Sequence, residues 1–192
     1  MEALNVLAAA DRLLRVDPTA SLEDIAHEAG ASRATVHRRF PTRGDLLVAL
    51  SRWAVGRIVA ALESAQIGTA PPYVALYQAV RNVIDVKVGL EYARTLPPAD
   101  DPVVSGLQHR MRERAATLLA DCQTDGLIAS DTDQDWALTA FYALVHEASA
   151  GSTNEADDPE YADRAASQVI ETLLHGLSPH TTKPAPDRLR TA

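Results

Sequence analysis

Apolar positions recur three and four residues apart over long stretches of this chain, and short runs rich in proline, glycine or aspartate interrupt them. Ala3, Leu7, Ala10 and Leu14 form one stripe with Val6 and Leu13 beside it, which predicts a first helix over about 3–16. Asp17-Pro18 ends it, because a residue that precedes proline avoids helical dihedrals. Ser21 then opens a second helix as its N-cap, with Asp24 three positions on in a near-capping-box spacing and Leu22, Ile25, Ala26 and Ala29 as the apolar face. Gly30-Ala31 makes a turn, and Ser32 caps a short third helix that runs to about Phe40. After Pro41-Thr42 a longer fourth helix is expected over roughly 44–66. It is apolar on more than one side (Leu46, Leu47, Leu50, Trp53, Ala54, Ile58, Leu62), so it should touch both halves of the protein. Beyond a breaker at 68–72, further helices are predicted at about 73–95, 102–124, 133–150 and 159–177. Alternating β-branched runs with Asn-Gly or Asp-Gly turns do not occur, so the fold class is all-α.

Composition changes this picture little. Of the 192 residues, 46% are hydrophobic and 23% charged, the balance of an ordinary globular protein. Charge changes it more. The net charge of −8 argues against a nucleic-acid partner until its distribution is read. Residues 33–43 hold four arginines (Arg33, Arg38, Arg39, Arg43) and no acid. Residues 1–57 hold eight arginines against seven acids, and the remainder ten basic residues against nineteen acidic ones. A short basic edge thus sits on an acidic body, which would repel DNA everywhere except at that edge. The single Cys122 excludes an internal disulfide and any multi-cysteine metal site. Glu2, Asp11 and Arg12 interrupt the start, so no signal peptide is read, and apolar runs such as 53–62 are too short to span a bilayer. A cytoplasmic protein is expected.

Catalytic chemistry finds no foothold. His109, His146 and His175 fall on separate predicted helices, and His146-Glu147 lacks the second histidine of an H-E-x-x-H pair. No Gly-x-Ser-x-Gly elbow or phosphate-cradling glycine loop is present. Neither a metal site, a cofactor nor a catalytic residue is expected.

Residues 21–40 instead read as a helix-turn-helix. Two short helices that cross closely need a small residue in the first, and Ala26 supplies it. The turn needs a residue tolerant of positive φ, and Gly30 lies four residues later. The second helix must set an apolar side chain back against the first, as Val36 would. The caps Ser21 and Ser32 would leave helix N-termini able to donate amides to phosphate.

Over about residues 4–50 the chain resembles the TetR family of bacterial repressors. The resemblance is carried by Leu7-Ala8-Ala9-Ala10 with Leu13-Leu14, by Ser21-Leu22-Glu23-Asp24-Ile25-Ala26, and by the run from Ala29 through Arg33-Ala34-Thr35-Val36-His37-Arg38-Arg39-Phe40 to Leu47. It implies a three-helix DNA-binding domain over 1–45 and a helical bundle for ligand binding and dimerisation over 46–178; beyond them, three prolines and few large apolar residues predict a disordered tail over 179–192. It also implies base reading from the start of the third helix. Arg33 there suits a guanine edge, and Ala34 a thymine methyl. Thr35 falls where the family sets a hydroxyl on phosphate, His37 replaces a usual tyrosine, and Arg43 replaces a usual lysine. Arg38 and Arg39 project about 100° apart on a helix, so at most one of them need face bases; Arg38 is the one taken as a DNA contact. Effector-pocket candidates are Tyr77, Ile84, His109, Phe141 and His146, and Arg81 would favour an anionic effector if it lay inside such a pocket. Small-residue stripes on the last two helices (Ala137, Ala140, Leu144, Ala148; Ala162, Ala166, Val169, Leu173) fit the family's dimer bundle. The implied protein is a homodimeric regulator, most simply a repressor, that binds palindromic double-stranded DNA and is released by a small molecule. The alternatives are a ligand-independent regulator of the same fold, or an enzyme built on a helical bundle.

Overall fold

The computed structural model describes residues 2–86, 101–151, 158 and 160–177. Eight helices are found among them: α1 (Glu2–Val16), α2 (Leu22–Glu28), α3 (Arg33–Arg39), α4 (Arg43–Glu63), α5 (Pro72–Asp85), α6 (Pro102–Thr124), α7 (Gln134–Gly151) and α8 (Tyr161–Leu177). The described residues hold no strand, in agreement with the all-α reading. The outer part of the predicted 73–95 helix and the 179–192 tail lie outside the described residues.

Local chemistry sets the helix ends. Asp17 accepts hydrogen bonds from the N–H and hydroxyl of Thr19 at 2.9 and 2.6 Å, closing the turn after α1. Ser21 and Asp24 form a complete capping box on α2, and Thr42 and Asp45 repeat it on α4. Gly30 takes φ +63°, and Ala31 N–H donates to the Ala26 carbonyl at 2.9 Å, so the chain reverses at the end of α2 in a left-handed turn. The predicted fourth helix runs three residues too far. Gln66 has φ +55°, and the turn through 64–69 folds Ala65 and Ile67 into the core.

Two clusters of buried side chains result. Val6, Leu7, Ala10, Leu14, Ile25, Ala26, Val36, Phe40, Leu46, Leu50 and Ala54 make one; Val55, Ile58, Leu62, Leu76, Ile84, Leu118, Phe141, Ile170 and Leu173 belong to the larger other. Helix α4 passes through both, as its many-sided apolar pattern predicts. Val86 also packs against both.

Beyond these clusters α4 lies mainly along α6, and α5 along α8. Ala162, Ala166, Val169 and Leu173 of α8 all point into the chain's own core. The small-residue stripe read as a dimer surface on this helix therefore serves intrachain packing, and the outer face of α8 is polar, with Arg164, Gln168, Glu171 and His175 exposed. On α7, Ala137 is likewise buried, whereas Ala140, Leu144 and Ala148 are only partly covered.

Candidate nucleic-acid interface

Helices α1 to α3 form a compact tripod closed by α4. Ile25 and Ala26 of α2 and Val36 of α3 are each no more than 2% exposed, so the two short helices cross in contact at the alanine. This packing leaves the opposite side of α3 to solvent. Ala34, His37, Arg38 and Arg39 are exposed, and Thr35 is half-buried. Among the described residues His37, Arg38 and Arg39 have no ion-pair partner. A row of cationic and polar side chains is thus held outward by an apolar row at helical spacing on the reverse face.

The N-terminus of α3 has a chemistry of its own. Ser32 Oγ accepts the N–H of Thr35 at 3.1 Å and lies 2.8 Å from Thr35 Oγ1, and the first turn carries no acid. The N-termini of α2 and α4 are different. The Asp24 carboxylate accepts both the N–H and the hydroxyl of Ser21, at 2.9 and 2.6 Å, and those hydrogen bonds hold its pKa below the usual value of 3.8. Asp45 receives the same two bonds from Thr42, at 3.0 and 2.7 Å. Ser21, expected at phosphate, therefore has both donors turned onto a carboxylate that repels phosphate. Of these three N-termini, α3 alone is free of an acid in its first turn.

Arg33 and Arg43 are both drawn into contacts that the sequence did not disclose. Arg33 Nη1 lies 3.2 Å from Glu23 Oε1, with the two side chains 73% and 49% exposed. Arg43 donates from Nη2 to the Pro18 carbonyl at 2.6 Å and from Nη1 to the Ala20 carbonyl, tying the α1–α2 turn to the head of α4. Its Nε–H and the second hydrogen on each Nη remain for another acceptor.

The five pocket candidates do not share one environment. Ile84 and Phe141 are sealed in the core at 0% and 3% exposure. The Tyr77 hydroxyl donates to Asp163 Oδ1 at 2.8 Å, and Arg81 Nε reaches the same oxygen at 2.9 Å. The charge of Arg81 is thus met by an acid of α8, which lowers the Asp163 pKa, first through the Tyr77 bond and then through Arg81. His109 stands outside the core, 71% exposed and 3.2 Å from Glu113 one turn on; a polar residue on the outer face of α6 cannot line an interior. His146 is half-buried, and its Nδ1, like the Tyr142 hydroxyl one turn before it, is buried without a hydrogen-bond partner. Apart from these, a groove of about 360 Å³ opens between α4 and α5, lined by Arg57, Ala61, Ser64, Asn82, Asp85 and Val86.

One long-range ion pair joins the two clusters. Arg52 of α4 donates from Nε and Nη2 to the Asp101 carboxylate at 3.1 and 2.5 Å. Asp101 is 8% exposed and also accepts the N–H groups of Val103 and Val104 at 3.0 Å, capping α6. Forty-nine residues separate the partners, and no local pattern announces them.

Residues 6–50 match the model of bacterial regulatory proteins of the tetR family. The chain is 43% identical over 81 residues to the HTH-type transcriptional repressor LfrR of Mycolicibacterium smegmatis, a match that spans 42% of this chain and 43% of that protein. The solved structure of the TetR-like regulator LfrR from Mycobacterium smegmatis in complex with proflavine is similar over 95% of this chain and 99% of its own, at a TM-score of 0.72 and 27% identity. PfmR of Thermus thermophilus shares the fold at 22% identity and a TM-score of 0.69, over 91% of this chain and 99% of its own. FadR of Bacillus subtilis, solved in complex with stearoyl-CoA, does so at 14% and 0.66, again over 91% and 99%. Each of these relatives is described as a transcriptional regulator or repressor. The outward arginine row, the three-helix head and the whole-chain likeness agree: residues 6–50 carry the head of the tetR-family regulators, and the chain as a whole shares the fold of the TetR-like regulator LfrR.

Proposed function

We propose that the protein is a repressor that binds a palindromic operator as a homodimer and leaves it when a small molecule binds the helical bundle. The observation that carries this reading is the edge of α3: exposed Arg33, Ala34, His37 and Arg38 beside an acid-free, serine-capped helix start. A single short helix offers few base contacts, so two must act together. A two-fold dimer would set both α3 helices in successive major grooves, about 34–36 Å apart. The partly open face of α7, with Ala140 and Leu144 half-covered and Ala143 and Trp136 exposed, supports a dimer surface on that helix. Arg33 would meet a guanine, Ala34 a thymine methyl, and Thr35, His37 and Arg43 the phosphates, with Arg38 at bases or backbone.

Release requires that the bundle move α4. That helix belongs to both buried clusters, and Arg52 fastens it to the first turn of α6. A ligand that displaced α6 would pull on α4 at the level of the DNA-binding head. The LfrR structure in complex with proflavine supports a small-molecule effector, and the half-buried Tyr77 and His146 remain the proposed pocket lining. By linkage, effector and DNA must weaken each other by the same factor. Titrating the selected operator duplex with and without proflavine or stearoyl-CoA tests this. Loss of DNA affinity with one compound is expected; unchanged affinity with every compound that binds the protein would contradict release by an effector.

A further inference from the structure

We infer that Glu23 is a positioning residue for base reading: it holds Arg33 so that the free edge of its guanidinium meets a guanine. The inference rests on the proposal above that Arg33 reaches a base. Glu23 is the second residue of α2 and Arg33 the first of α3, and the crossing fixed by Ala26 and Val36 brings them to 3.2 Å through Nη1.

A guanidinium is a planar fork of five N–H donors. With Nη1 turned to Glu23, the Nε–Nη2 edge is left open, a pair of parallel donors that matches N7 and O6 of guanine in the major groove. The tether also narrows the range of arginine rotamers, so less freedom is lost when the base is met.

Helix stability accounts for an acid in the first turn of α2 but not for its pairing with Arg33. Both side chains are largely solvent-exposed, and such pairs contribute little to folding. Asp24 already supplies the capping carboxylate of α2. What Glu23 does add is a negative charge at the cationic edge. That charge lowers affinity for every duplex alike and keeps Arg33 from settling on phosphate, and specificity is a difference of affinities.

The test uses the full chain and four proteins: wild type, Glu23→Ala, Glu23→Gln and Arg33→Ala. Each selects from a randomised duplex pool, and affinities are then measured for the wild-type site and for a scrambled duplex. Arg33→Ala and Glu23→Ala should relax the same base pair in each half-site, with discrimination there falling about three- to tenfold in Glu23→Ala. Affinity of both Glu23 variants for scrambled DNA should rise about two- to fivefold, because one negative charge has gone. Glu23→Gln keeps an acceptor at the same reach and should retain most of the base preference. Matching thermal melts keep a folding defect apart from these readouts. If Glu23→Ala selects the wild-type site with undiminished discrimination while Arg33→Ala does not, positioning by Glu23 is overturned. If Arg33→Ala also keeps the preference, the base-reading role of Arg33 itself fails.

Discussion

Arg33 and Arg43 carry the same charge at the same edge, yet their surroundings differ. Arg33 projects from the first turn of α3 with one exposed acid beside it. Arg33→Ala should relax base preference and cost about 1–3 kcal/mol per half-site on the preferred sequence. Arg43→Ala should weaken all duplexes alike and lower the salt slope by about one per subunit. Anisotropy titrations over a range of salt on specific and random duplexes separate the two, and equal losses from both variants on both duplexes would refute the division. Arg43→Ala should also melt earlier, since the Pro18 and Ala20 carbonyls lose their donors. Residue-level chemistry was legible where it is local. The spacing Ser21-x-x-Asp24 announces its capping box, and Thr42-x-x-Asp45 carries the same signal. The partners of Arg33 and Arg43 lie ten or more residues away, across helix crossings whose geometry no spacing encodes.

Helix existence was legible throughout the described chain because the apolar period and the punctuation agree. Helix α6 begins at Pro102 and ends at Thr124, as its flanking residues predict. The end of α4 was not, because Gln66 adopts a left-handed conformation with no glycine or proline at that position to signal it. The turn of the helix-turn-helix was legible from Gly30, where a Cβ would meet nothing within 4 Å and backbone strain alone would decide the outcome. Gly30→Ala should therefore cost about 1–2 kcal/mol, and Gly30→Asn less. Phe40→Ala, which empties a site only 5% exposed, should cost about 3–5 kcal/mol. Chemical denaturation measures both, and a Phe40→Ala variant as stable as wild type would show that the tripod does not rest on this ring. Periodicity also tells which face of a helix is apolar without telling what covers it. The α8 stripe therefore suggested a partner subunit but packs within its own chain.

At the scale of the molecule, among the described residues the N-terminal head and the helical bundle are joined by α4, by Val86 and by the Arg52–Asp101 ion pair. Arg52 and the α6 amides hold the Asp101 carboxyl below its usual value of 3.8. A depressed pKa means that the contribution is present above the unfolded value and is lost as pH falls through the lower folded one. Melting temperature should thus drop steeply below about pH 4, and Asp101→Asn should start lower at neutral pH but flatten that drop. A parallel pH profile for the two proteins would show that the pair stores no stability. The bundle core offers its own probe. Burial pushes the Cys122 thiol up to about 12, so a thiol reagent at neutral pH should label it only as fast as the bundle opens. The acidic body and cationic edge could be read from the order of charges, and the surface that would meet a second copy in the proposed dimer could not.

The proposed function depends on α3 presenting its arginine-bearing edge to a major groove in two symmetry-related copies. Selection of bound duplexes from a genomic-fragment pool by the wild-type protein tests this most directly. The expected product is a palindrome whose half-sites lie a whole number of helical turns apart, at about 34–36 Å per turn, with a guanine in each half that Arg33→Ala no longer prefers. A pool with no enrichment, or an enriched site without two-fold symmetry that Arg33→Ala selects equally well, would contradict it.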